Sequence, residues 1–182
     1  MDAIQLLTQR QSCPRLTNPA PQGDDLNTIL TAGNRAPDHG GLMPWRLVVC
    51  QGEGLDKLSD VFFEASKQRG DKESKQEKAK NSPYRAPLII TVLSKIQESK
   101  KVPELEQHLA AGCALMSMQQ AAQALGFGGI WRTGKPAFDP MVRDFFELDA
   151  CDQIIGFLYV GTPETELLVK PNKSLEGIVR YL

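Results

Sequence analysis

The sequence predicts an α+β layer structure, and three observations carry that expectation. Helix and strand patterns follow one another in the order α-α-β-α-β-α-β-α-β, with no internal repeat and no linker along the 182 residues. Two short apolar runs, 88–93 and 154–161, are rich in β-branched and aromatic residues and read as buried strands. Between them, Leu109 to Trp131 carries no charge at all. Such a run reads as a buried helix that ends in a glycine-rich turn.

Each element has its own signal. Residues 2–11 have helical spacing with Leu6, Ile4 and Leu7 on one side, and Pro14 ends the pattern. Asp24 or Asp25 is placed to cap a second helix with Leu26, Ile29 and Leu30 inward. Gly33 to Trp45 is broken by Pro37, Gly40, Gly41 and Pro44 into a loop that feeds a strand at 47–50. Leu55 to Ala65 reads as a helix using Leu58, Val61 and Phe62. Residues 67–80 are dense in charges of both signs, which predicts a charged surface helix or a mobile excursion, with a lid as the functional alternative.

The run 88–93 reads as a central strand. The long helix begins at Pro103-Glu104, a favourable first turn, and Gly126 is placed at its C-terminal cap. Leu105, Leu109, Gly112 and Met116 form one stripe along it, and Leu115, Met118, Ala122 and Leu125 a second. Both are expected to be buried, the helix being apolar nearly all round. Ile130 and Trp131 begin a further strand. Pro140 to Leu148 reads as a short helix with Val142, Phe145 and Phe146 inward, and the 162–182 tail closes on apolar residues suited to packing against a partner subunit. A chain of this length is expected to fold as one domain, 1–182.

Composition narrows the function. A net charge of −1 gives no general attraction to nucleic acid or to an anionic membrane. Ser117, Gln119, Gln120 and Gln123 make the uncharged run too polar for a lipid span. The four cysteines and two histidines lack zinc-ligand spacing, so no metal site is expected. The amino terminus lacks the basic and apolar regions of a signal peptide, and the separate cysteines fit a reducing, cytoplasmic location. No nucleophile elbow and no Walker loop occurs. The Gly126-x-Gly128-Gly129 turn follows a helix and precedes a strand, the reverse of a dinucleotide-binding turn.

Three clusters remain. Arg10-Gln11-Ser12 places a guanidinium and a hydroxyl two residues apart, which suits either a solvated helix end or a grip on a phosphate. Arg35 to Trp45 is a glycine- and proline-fixed loop carrying Arg35 and His39. Glycines there let backbone approach a ligand, although a histidine bonded to local backbone fits the pattern equally. Trp131-Arg132-Thr133 offers a ring for stacking or hydrogen bonding, a cation and a hydroxyl, or forms a plain surface strand with a half-buried Trp.

In this order the three clusters resemble the FMN-dependent nitroreductase family, in particular its short bacterial NAD(P)H-dependent members. The Arg-x-Ser near the start, the Ala-Pro…Pro-Trp loop before a strand and the Ala-rich helix ending in Leu-Gly-Phe-Gly-Gly-Ile-Trp carry the resemblance across nearly the whole chain. It implies a nitroreductase-like fold, with a mixed, mostly antiparallel sheet flanked by helices, and an intertwined homodimer with FMN at the interface. By the same resemblance Arg10, Gln11 and Ser12 hold the phosphate and ribityl regions. Arg35 and His39 reach the flavin from the partner chain, Trp131, Arg132 and Thr133 complete the site, and Ala121 meets the nicotinamide nucleotide. NADH or NADPH is then the reductant, and a nitroaromatic, quinone or related small molecule the acceptor, in ping-pong turnover with no dedicated catalytic acid or base. Leu42-Met43 stand where larger members carry Asn and Gln, which keeps two alternatives open. One is a non-redox flavin-binding or regulatory dimer; the other is a flavoenzyme with different chemistry, such as dehalogenation or flavin fragmentation. Lys170, Lys173 and Arg180 are candidates for the C-terminal basic pair that larger members place on the phosphate.

Overall fold

A computed structural model describes residues 2–166, 168–172 and 174–182. Its central strand, β3 (Leu88–Ser94), is buried at every position, as an unbroken apolar run requires. On one side β3 pairs with β2 (Trp45–Cys50), in a register that sets Leu47 against Val92. On the other it pairs with β5 (Gln153–Pro163), with Leu88 against Val160. The far edge of β5 is shared by β4 (Gly128–Arg132) and the two-residue β1 (Leu16–Thr17). Every pairing among the described residues is antiparallel, which corrects the mixed sheet expected above.

Alternation along the strands sends side chains into two separate cores. On one face Ile90, Val92, Leu158 and Val160 meet α5 (Glu104–Ala124) and α2 (Gly23–Gly33). Ala111 and Ala114 bring α5 close to the sheet, and Gly33 brings α2 close to α5: a Cβ there would lie 2.7 Å from Met118 Cγ. On the other face Ile89, Leu93, Phe157 and Tyr159 meet α3 (Glu53–Gln68) and α6 (Pro140–Phe145). There Phe62 packs edge-to-face on Phe157, with ring centroids 5.2 Å apart.

Several expectations change. Helix α1 (Ala3–Gln9) forms and is capped by Asp2, but buries no residue, and Ile4 and Leu7 are exposed. Asp24 and Asp25 lie in the first turn of α2, where they complement the helix dipole; Gln22 is the capping position. The second stripe of α5 is buried at Leu115, Met118 and Ala122, with Leu125 exposed at its end. The first stripe is not: Leu105 is 66% and Leu109 59% exposed. Leu125 and Gly126 close the helix with Phe127 N–H donating to Ala122 O and Gly126 N–H to Gln123 O, and Gly126 takes φ +90°, which favours glycine. In the region of α6, Val142 is buried and Phe146 half-buried, while Phe145 is exposed. The described residues from 164 onward form neither helix nor strand, and Ile178, Tyr181 and Leu182 are exposed.

The charged stretch 67–80 folds. Helix α3 runs to Gln68, the chain turns at Gly70, and α4 (Glu73–Lys80) packs back on α3. With no buried residue of its own, α4 is held by polar bonds: Ser59 Oγ donates to Lys80 O (2.8 Å) and Gln76 Nε2 to Asp71 O (2.6 Å). Asp71 anchors the turn. It accepts from Lys135 Nζ (2.8 Å), Arg69 and Ser66, and these bonds, led by Lys135, hold its carboxyl at a pKa of about 2.

Candidate functional site

After α1 the chain turns into an extended segment that lies on the first residues of β4. Cys13 N–H donates to Gly129 O (3.0 Å), and Gln119 Nε2 of α5 donates to the same carbonyl (3.0 Å). Gly128 permits the approach, because a Cβ there would sit 2.9 Å from Cys13 Cβ and 2.7 Å from Leu16 Cδ2. Glycine at this position is therefore what lays Arg10-Gln11-Ser12 beside β4. Arg10 is half-buried and forms no ion pair among the described residues. Gln11 Nε2 donates to Leu168 O (2.8 Å), which draws the tail toward the same place.

At the other end of β4, Trp131 occupies a slot between two glycines. Its Cη2 lies 3.7 Å from where a Cβ on Gly112 of α5 would be, and a Cβ on Gly156 of β5 would overlap its pyrrole edge. Its indole N–H donates to Ile155 O (3.1 Å), so the ring is fixed and its one donor is used within the chain. Arg132, the next residue on the strand, points to the opposite face and lies over Tyr159, 5.6 Å from the ring centroid. Thr133 follows β4 and is exposed.

Arg35 and His39 lie elsewhere. His39 Nδ1–H donates to Glu106 Oε2 (2.7 Å) in the first turn of α5, and Arg35 is exposed without an ion-pair partner among the described residues. Their loop leads into β2, whereas β4 is on the opposite side of the sheet, with β3 and β5 between. At about 4.8 Å per strand the two outer strands are about 14 Å apart. Within one chain Arg10–Ser12 and Trp131–Thr133 thus lie at the two ends of β4, and Arg35 and His39 lie apart from both. The loop itself is built around Asp38, whose carboxylate accepts from Leu42 N–H (3.1 Å) and Met43 N–H (2.7 Å). Ala121 is half-buried near the C-terminal end of α5, at the level of the glycine turn. Lys170 and Arg180 are exposed, and Lys173 lies outside the described residues.

This arrangement has counterparts among known proteins. The model of the nitroreductase family matches residues 7–162. The chain belongs to the nitroreductase family. It is 50% identical over 164 residues to YdjA of Escherichia coli (strain K12), provisionally named an NAD(P)H nitroreductase, with 90% of each chain covered. In fold it resembles a nitroreductase-like family protein from Bacillus cereus at a TM-score of 0.85 and 20% identity, covering 100% of this chain and 96% of that one. It also resembles a nitroreductase with bound FMN from Bacteroides fragilis at a TM-score of 0.73 and 21% identity, covering 98% and 97%.

The structure also brings residues outside the three predicted clusters to Arg132 and Thr133. Lys78, Ser82 and Arg85, from α4 and the turn before β3, meet Arg132, Thr133 and Tyr159 around a cavity. Sequence spacing gives little sign of it, because three separate elements supply the cations. The available signal is the alternation itself, which puts Arg132 on the face opposite Trp131.

Proposed function

We propose that this protein is an FMN-dependent NAD(P)H oxidoreductase, a single domain over 1–182 that works as a homodimer with one flavin in each interface site. The observation that carries the reading is the cluster along β4. Glycine at 128 lays a half-buried, unpaired Arg10 beside Ser12 at one end, and the fixed Trp131 marks the other. An unpaired guanidinium beside a hydroxyl fits a phosphate, and an ordered ring beside an open strand edge fits a planar heterocycle. Bound flavin supplies the two-electron chemistry, taking a hydride from NADH or NADPH and delivering reducing equivalents to a nitroaromatic, quinone or related acceptor.

The chain's own residues bind and orient. Arg10 and Ser12 hold the phosphate, Gln11 the ribityl region, and Trp131, Arg132 and Thr133 line the ring, with Ala121 toward the nicotinamide nucleotide. Arg35 and His39 serve the partner's site, since within one chain they lie beyond β2. The exposed Leu105 and Leu109 and the apolar tail supply a surface for that partner. The FMN-bound Bacteroides fragilis structure and the name of the Escherichia coli relative support the cofactor and the reductant. No described helix is long and apolar enough to cross a membrane.

A second reading, a flavin-binding dimer without turnover, is favoured by one feature: the Leu42 and Met43 amides are both engaged by Asp38 and are withheld from a ligand. Anaerobic titration decides between them. Purified protein should retain FMN, and its visible flavin absorbance should bleach on addition of NADH or NADPH. Flavin that stays yellow under both nucleotides leaves the binding dimer. Protein that retains no FMN refutes both readings. Bleaching without reduction of nitro or quinone acceptors points to other flavin chemistry.

A further inference from the structure

The loop that carries His39 is fixed at three points. Asp38 accepts from the Leu42 and Met43 amides, and the Pro44 carbonyl accepts from Lys95 N–H (3.0 Å) where β2 begins. Gly40, at φ +77°, lies against the buried Val102 just before α5: a Cβ there would be 3.2 Å from Val102 Cγ2. The backbone at 38–44 is therefore held against the start of α5. Packing does not hold the His39 ring, since its side chain is 60% exposed. The ring's one hydrogen bond among the described residues is to Glu106 Oε2, at 2.7 Å. An ionised carboxylate only accepts, so the proton at this contact is on Nδ1, and Nε2 has no partner among the described residues. A contact this exposed adds little to stability. Its consequence is orientation: it sets the direction of the ring and the nitrogen that the ring presents.

We propose that Glu106 is a positioning residue for the flavin site of the partner subunit: by holding a proton on Nδ1 of His39, it leaves Nε2 as the nitrogen that meets the cofactor. The proposal rests on the reading above, in which His39 serves the partner's site. Glu106 is exposed on α5 with Leu105 and Leu109, which offer a surface to the partner, so the pair lies where a second chain can reach it. With Nδ1 occupied, a neutral ring offers Nε2 as an acceptor to donors such as the flavin imide N–H or a ribityl hydroxyl. Without Glu106 the ring is free to turn and to carry its proton on either nitrogen, so Nε2 is no longer reserved as an acceptor. Glu106 itself acts through His39 alone.

A double-mutant cycle tests the role. FMN affinity is read from the flavin fluorescence released on dilution of the loaded dimer, and the His39 tautomer from imidazole nitrogen NMR shifts of the purified protein in alkaline buffer. Glu106→Ala should weaken FMN binding by about fivefold, and the Nδ1–H tautomer of His39 should give way to the Nε2–H form. Glu106→Gln, whose amide oxygen still accepts from Nδ1–H, should keep wild-type values of both. In the His39→Ala background, Glu106→Ala should cost nothing further. Sedimentation checks that each variant is dimeric, and Glu106→Leu, which keeps the bulk but accepts no hydrogen bond, replaces Glu106→Ala if it is not. The proposal is overturned if Glu106→Ala weakens FMN binding as much without His39 as with it, or if wild type and Glu106→Ala share one tautomer. Two further results separate its failure from that of the reading beneath it. His39→Ala that weakens FMN binding while Glu106→Ala does not overturns the positioning role and keeps His39 at the flavin. His39→Ala that retains FMN as wild type does, or wild type that retains none, overturns the role and the partner-site reading together.

Discussion

The two faces of β4 are built for opposite work. Toward α5, Trp131 is clamped between Gly112 and Gly156 and its only donor is satisfied by Ile155. Toward α3 and α4, Arg132 reaches a cavity with its Nε unpartnered and two further unpaired cations nearby. One face is closed and apolar, the other open and positive. The contrast shows how a single strand can carry both a rigid shelf and a charged recess, because alternate residues never compete for the same space.

The closed face continues outward into the exposed stripe of α5, and the largest expected effect lies there. Leu109→Asp should give monomers by sedimentation or size exclusion. In a symmetric dimer each substitution is counted twice, so about 2 kcal/mol per copy becomes about 4 kcal/mol of association. On the proposed reading, in which Arg35 and His39 serve the partner's site, FMN should be lost with the dimer. Monomers that keep their flavin would show that one chain suffices. Gly156→Ala attacks the same face from inside. The added methyl overlaps Trp131 and comes within 3.1 Å of Arg132 O, so β4 or the indole must move. The cost should be about 2 kcal/mol in urea melts. A fully stable variant would mean that the Trp131 slot is loose.

Arg10→Ala should weaken FMN retention by about tenfold, the worth of one charge-assisted bond, and leave the thermal melting of the protein without flavin unaltered. Unchanged retention would show that Arg10 does not hold the cofactor.

Much of the fold is legible in the sequence, and the gaps have physical causes. Strands β3 and β5 are read from their apolar runs because burial on both faces leaves no other pattern. The α5 start at Pro103-Glu104 and its glycine end are read from local backbone chemistry. Strand β1 is not readable: Leu16 and Thr17 are ordered by β5, which lies far away in sequence. Helix α4 lacks an apolar stripe, and its place is set by bonds such as Ser59 to Lys80 that no periodicity reports. The outward side of α5 looks like core in the sequence because apolar spacing does not say whether the burying surface belongs to the same chain. Of the site, Arg10–Ser12 and Trp131–Thr133 lie at opposite ends of one strand, β4, while the facing directions of Trp131 and Arg132 emerge only once β4 is paired with β5.

The smallest effect concerns the anchor behind the charged wall. The folded-state pKa of Asp71, about 2, is below the ordinary 3.8, chiefly through Lys135. A lowered carboxylate pKa stabilises the fold above the ordinary value, and that stabilisation is lost as pH falls from about 4 toward 2. Lys135→Ala should bring Asp71 back toward 3.8, so the variant should lose less stability than wild type over that interval while being slightly less stable near neutrality. Paired urea melts across the acid range measure the difference. If both proteins decline in parallel, Lys135 does not set the charge state of Asp71, and the turn that places α4 beside the cavity is held by Arg69 and Ser66 instead.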